Sequence, residues 1–97
     1  MLVGYSVFGV PIRLTDERWA HIVEARDELA GRMVDVIDAV EQPDWVTRGY
    51  AGALVAWKAL ARGRYLAVVY KELRRDDGFV VTAFFSSKPR RRQRVWP

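Results

Sequence analysis

Two apolar runs joined by a charged turn limit what this chain can become. Tyr65-Leu66-Ala67-Val68-Val69-Tyr70 and Phe79-Val80-Val81-Thr82-Ala83-Phe84 flank Arg74-Arg75-Asp76-Asp77-Gly78, a stretch with strong turn chemistry. Both runs are rich in β-branched and aromatic residues, and neither alternates between apolar and polar positions. Strands that are apolar on both faces belong in the middle of a sheet rather than at its edge, so this hairpin is expected at the centre. With 97 residues, 51% of them hydrophobic, the chain can build one core but not two.

The other elements group around that hairpin. Val3, Tyr5 and Phe8 with Ile12 and Leu14 predict a short extended segment, bent at Gly9-Val10-Pro11. Thr15 is the expected N-cap of a first helix, with Asp16 and Glu17 in the first turn where carboxylates favour the helix dipole. That helix runs to about Glu28 and turns Trp19, Ile22, Val23 and Leu29 inward. After Gly31, a second helix over 32–42 buries Met33, Val36, Ile37 and Val40 and is stopped by Pro43. Strands are predicted at 45–50 and 53–60, although the alanines of the second leave a helix open, and then at 64–73 and 79–86. Val95 and Trp96 could add an edge strand. The expected architecture is α+β: two N-terminal helices packed on one face of a four- to five-stranded antiparallel sheet. One domain spans 1–97, with a basic tail at 88–97.

Charge is divided along the chain. Residues 1–50 hold 5 Arg or Lys against 9 Asp or Glu, a net of −4, while residues 51–97 hold 11 against 3, a net of +8. Both helices put acids on their outer faces, so the cations fall to strands, loops and tail. They are expected on the uncovered face of the sheet and its rim, a surface that attracts polyanions. No cysteine is present, and no apolar run approaches the length of a membrane span, which together suit a cytoplasmic protein. One histidine and no cysteine leave too few ligands for catalytic zinc, and no glycine-rich phosphate loop occurs. No metal or cofactor is therefore expected.

Several side chains could carry chemistry. His21 is the sole imidazole, a group suited to proton transfer near neutral pH. Lys71 and Thr82 each interrupt an apolar strand, and pairing Leu73 with Gly78 would make them diagonal neighbours on one face. A slip of one residue would part them. Arg48, Lys58, Arg62 and Arg64 lie beside Trp45, Tyr50, Trp57 and Tyr65, an interleaving of cations and rings suited to single-stranded nucleic acid. Lys88, Arg90 and Arg91 in the tail would meet phosphate without regard to sequence.

In order along the chain, Glu17-Arg18-Trp19-Ala20-His21-Ile22, Pro43-Asp44, Arg48-Gly49, Gly63-Arg64-Tyr65-Leu66, Val69-Tyr70-Lys71-Glu72 and Gly78 to Phe84 resemble the phage- and toxin-associated branch of the barnase/EndoU/colicin/RelE-like nuclease superfamily. The resemblance runs from about Thr15 to Pro89. It implies two helices on an antiparallel sheet and metal-independent cleavage of RNA by 2′-OH attack on the phosphodiester. On that reading Lys71 and Arg48 hold the phosphate, Thr82 positions it, and His21 is acid or base. RNA is then the partner, with a cognate antitoxin or immunity protein as a second. Arg26-Asp27 departs from the pattern, standing where relatives often carry His-Pro. A non-catalytic RNA-binding module and a protein-interaction domain on a degenerate nuclease fold are the alternatives.

Overall fold

The computed structural model describes residues 1–97 as seven strands and two helices. In chain order they are β1 (Leu2–Tyr5), β2 (Pro11–Leu14), α1 (Asp16–Ala25), α2 (Met33–Glu41), β3 (Trp45–Arg48), β4 (Leu54–Ala61), β5 (Arg64–Arg74), β6 (Asp77–Ser86) and β7 (Arg94–Trp96). All strands join one sheet in the order β1-β2-β6-β5-β4-β3-β7, which puts the β5–β6 hairpin in its middle. No helix is long and apolar enough to cross a membrane.

Two details correct the expected architecture. The sheet has seven strands rather than four or five, because the bent N-terminal segment closes into the β1–β2 hairpin; the edge strand expected at Val95 and Trp96 is present as β7. It is also mixed rather than antiparallel: β2 runs parallel to β6 over Ile12↔Gly78 and Arg13↔Phe79. Nothing in a local pattern announces that pairing. It is possible because α1, α2 and the strands β3 to β5 all intervene between β2 and β6, a connection long enough to bring the two strands together in parallel.

Thr15 caps α1 as its position predicts, its Oγ1 accepting from the Arg18 N–H at 3.1 Å. The helix is shorter than expected, ending at Ala25, with a 3-10 turn at Asp27–Leu29 that buries Leu29. Helix α2 packs against β1, β4 and β5 together. In a flat sheet β1 and β4 would stand about 19 Å apart, at about 4.8 Å per strand, whereas a helix is about 10–12 Å across. The sheet therefore curls round α2 and brings β1 back over it. Gly4 permits this approach, since a Cβ there would lie 2.7 Å from Ile37 Cγ2. The Tyr5 N–H on the same strand donates to Glu41 Oε2 at 3.1 Å.

Inside the curl lies the main core: Ile12 and Leu14 from β2, Ile22 from α1, Val36, Ile37 and Val40 from α2, and Ala56, Leu66, Val68, Tyr70, Val80 and Ala83 from the sheet. Tyr70 is fully buried there, and its hydroxyl has no hydrogen-bond partner. Burial pushes the phenol pKa well above its ordinary value, and the Glu72 carboxylate adds to the rise. A second, smaller cluster occupies the face away from α2: Trp45, Val55, Trp57 and Ala67, with Tyr65, Val69 and Phe84 against them. Aromatic packing explains why the central strands read as apolar on both sides.

Candidate nucleic-acid interface

On the face away from α2, Trp45 stacks on Trp57 with centroids 6.3 Å apart, and Phe84 meets Trp57 edge-on at 6.3 Å. Trp57 Nε1 donates to the buried Thr47 Oγ1 at 2.9 Å, which fixes the indole in the floor. Beside these rings lies a cleft of about 340 Å³, lined by Val55, Trp57 and Phe84 below and by Tyr50, Ser86, Lys88 and Arg90 around the rim. Tyr50 heads a 3-10 turn, Tyr50–Gly52, in which Ala51 and Gly52 both take positive φ (55° and 82°). This turn lifts the Tyr50 ring into solvent, where it is 93% exposed at the mouth of the cleft. An exposed ring over an apolar floor, with cations and a hydroxyl at the edge, has the parts needed to stack a base and hold its phosphate.

The tail builds half of that rim. Trp45 Nε1 donates to the Arg90 carbonyl at 2.8 Å, the Arg48 N–H donates to the Gln93 carbonyl at 3.0 Å, and β7 pairs with β3. The Arg91 and Arg94 guanidiniums lie 4.6 and 5.3 Å from the Trp45 ring centroid, and Arg91 Nη2 donates to the Tyr65 hydroxyl at 3.3 Å. Lys88 to Arg94 is thus a strap over the open face rather than a free arm.

The other sequence candidates divide between the two faces. Lys71 pairs with Phe79, and Thr82 pairs with Val69, a residue of the open-face cluster. Val81 is the extra residue of a bulge between them, so the expected Lys71↔Val80 pairing is shifted by one. The bulge absorbs the shift, and alternation still places Lys71 and Thr82 on the open face as diagonal neighbours. Thr82 lies in the row Thr82–Val69–Val55, next to the row Phe84–Ala67–Trp57 that floors the cleft. Arg48 is exposed at the end of β3 and pairs with Leu54, whose row faces α2, so it does not join Lys71 and Thr82. Lys58 shares a row with the core residue Leu66, and its Nζ donates to the Gln42 carbonyl at 2.7 Å, where it caps the C-terminus of α2. Arg62 is exposed in the β4–β5 turn, and Arg64 lies over Phe85 on the α2 side. His21 is exposed on α1, one turn beyond Arg18, and lines neither the cleft nor the smaller hollow at Arg13, Thr15, Arg18, Phe79 and Val80.

Arg26, marked in the sequence only as a departure from the nuclease pattern, is a further cation at the cleft. Its guanidinium lies 5.4 Å from the centroid of Phe84, the ring that floors the cleft. No local pattern signals it: Arg26 follows the last residue of α1, and Phe84 reaches it only through the packing of α1 beside β6. The ion pairs of the molecule lie elsewhere, at Met1–Asp16, Arg13–Asp77, Arg32–Asp35 and Arg74 with Asp76 and Asp77. Arg26, Lys88 and Arg90 have no carboxylate within 4 Å, so the cleft carries uncompensated positive charge. No family model, curated protein or solved structure matches the chain.

Proposed function

We propose that the protein is a small cytoplasmic endoribonuclease of the metal-independent kind, binding single-stranded RNA across the open face of its sheet. The observation that carries the reading is the aromatic-floored cleft whose cations, Lys88 and Arg90 with Arg26 alongside, lack acidic partners. A base would stack at Tyr50, and the strand would cross the next rows toward Thr82 and Lys71. Cleavage there needs the 2′ oxygen to bond phosphorus while the bond from phosphorus to the 5′ oxygen breaks. One proton leaves the 2′-OH and another reaches the departing oxygen, giving a 2′,3′-cyclic phosphate and a 5′-OH. Lys71 would stabilise charge on the phosphorane oxygens and Thr82 would orient them. His21, the acid or base that the resemblance implies, sits on α1, whose Ile22 packs in the main core, and so is not brought to this face by the fold.

One observation favours binding without cleavage as the second reading. Of His21, Arg48, Lys71 and Thr82, the sheet brings only Lys71 and Thr82 to the same face. Incubation of single-stranded RNA with the protein in EDTA separates the two readings. The expected result is cyclic-phosphate ends that disappear with Lys71→Ala. Equal cleavage by the variant refutes the assignment, and salt-sensitive binding with intact RNA establishes the second reading.

A further inference from the structure

We infer that the end of β6 carries a phosphate track leading single-stranded RNA off the open face and round to the α2 side; this rests on the RNA reading above. Phe84 and Phe85 are consecutive on β6 and point to opposite faces, one against Trp57 and the other against the main core. Each ring holds guanidinium groups. Arg26 lies 5.4 Å from the Phe84 centroid, while Arg64 and Arg32 lie 4.5 and 5.6 Å from that of Phe85. The three arginines come from separate elements: the C-cap of α1, the start of β5 and the N-cap of α2. Their convergence on two adjacent rings follows from the tertiary fold rather than from a local run of basic residues.

The chemistry of the three points to an anion. Asp35 compensates Arg32 at 3.3 Å, but Arg26 and Arg64 have no carboxylate within 4 Å, even though Asp27 and Glu28 follow Arg26 directly. A guanidinium lying over a ring leaves N–H groups available for a phosphate fork. It has also lost part of its rotamer freedom before the ligand arrives, which lowers the entropy cost of binding. RNA fits better than an acidic protein segment because the track is continuous with the cleft. Phe84 belongs to both, and a flexible single strand can turn the end of a sheet.

The test uses two 2′-O-methyl oligouridylates, which cannot supply the attacking hydroxyl: a dinucleotide that only the cleft can hold, and a dodecanucleotide that also reaches the track. The dinucleotide is titrated by NMR and the dodecamer by fluorescence anisotropy across a salt series. Arg64→Gln is expected to weaken the dodecamer and to make its log–log salt slope shallower by about 0.7, the value for one single-strand phosphate contact. Dinucleotide binding should stay at the wild-type level. Arg32→Gln, on another element, should act in the same direction with smaller amplitude, since Asp35 already compensates it. The paired Lys88→Gln and Arg90→Gln change should weaken both oligonucleotides. An unchanged dodecamer with Arg64→Gln, or an equal loss for both lengths, overturns the track while leaving the cleft standing. Tighter, Arg64-dependent binding of an oligoglutamate than of the dodecamer reassigns the surface to an acidic protein. Failure of the wild type to bind either oligonucleotide at low salt overturns both readings.

Discussion

The Tyr70 hydroxyl allows a sharp test of how this core is built. It is fully buried, without a partner, and its pKa is raised by burial and by Glu72. Tyr70→Phe removes the stranded hydroxyl and little else, so it should stabilise the fold by about 1 kcal/mol near neutral pH, the low end of the cost of an unsatisfied buried group. A second, larger effect is expected in alkali. The unfolded phenol ionises with a pKa of about 10, whereas the folded one holds its proton to higher pH. The corresponding stability is fully present below pH 10 and is lost as pH rises beyond it. Linkage gives a loss of about 0.4 kcal/mol at pH 10 and about 1.4 kcal/mol at pH 11, absent from the phenylalanine variant. Urea unfolding of both proteins, followed by circular dichroism through this range, measures the gap between them. It should favour the variant throughout and widen by about 1 kcal/mol over that last pH unit. A less stable variant near neutral pH, or a gap that does not move with pH, would show that the hydroxyl is satisfied in solution and refute the argument.

Two further substitutions examine how the faces are held. Gly78→Ala would place a Cβ 2.5 Å from Ile12 Cδ1 and 2.6 Å from the Lys71 carbonyl oxygen, so a loss of about 2 kcal/mol is expected in thermal or urea melts; a neutral result would mean that β2 moves aside freely. Trp57→Phe strands the buried Thr47 hydroxyl and thins the floor of the cleft. It should cost about 2–3 kcal/mol by circular dichroism, and a Thr47→Val change added to it should recover part of that loss.

The sequence disclosed local structure far better than it disclosed which face a side chain would occupy. Thr15, Gly31 and Pro43 punctuate the helices, and the turn before Gly78 marks the central hairpin, because capping and turn chemistry act over a few residues. Lys58 and Arg48 show where that reading stops. Their strands carry large side chains on both sides, so alternation gave no sign of which side α2 would cover. The outer rings are buried partly by the strap from Lys88 to Arg94, a contact between distant segments that no window of sequence contains. Arg26 was hidden for the same reason, since Phe84 approaches it through the packing of α1 beside β6. The Lys71–Thr82 relation came through despite a shifted register because the bulge at Val81 restored the alternation.

The short parallel ladder between β2 and β6 also imposes an order in time. The Arg13–Asp77 ion pair that crosses it joins residues 64 positions apart, whereas β3 to β6 pair with their immediate neighbours in the chain. Contacts of such long range form late, after shorter closures have lowered the entropy of the loop between them. During synthesis at about 5–20 residues per second, β2 waits about 3–13 s before its partner strand exists. Ile12 and Leu14, fully buried at the end, are exposed for that interval. The first hairpin made is therefore the last to be sealed, and the nascent chain is most open to capture or aggregation at its N-terminal end.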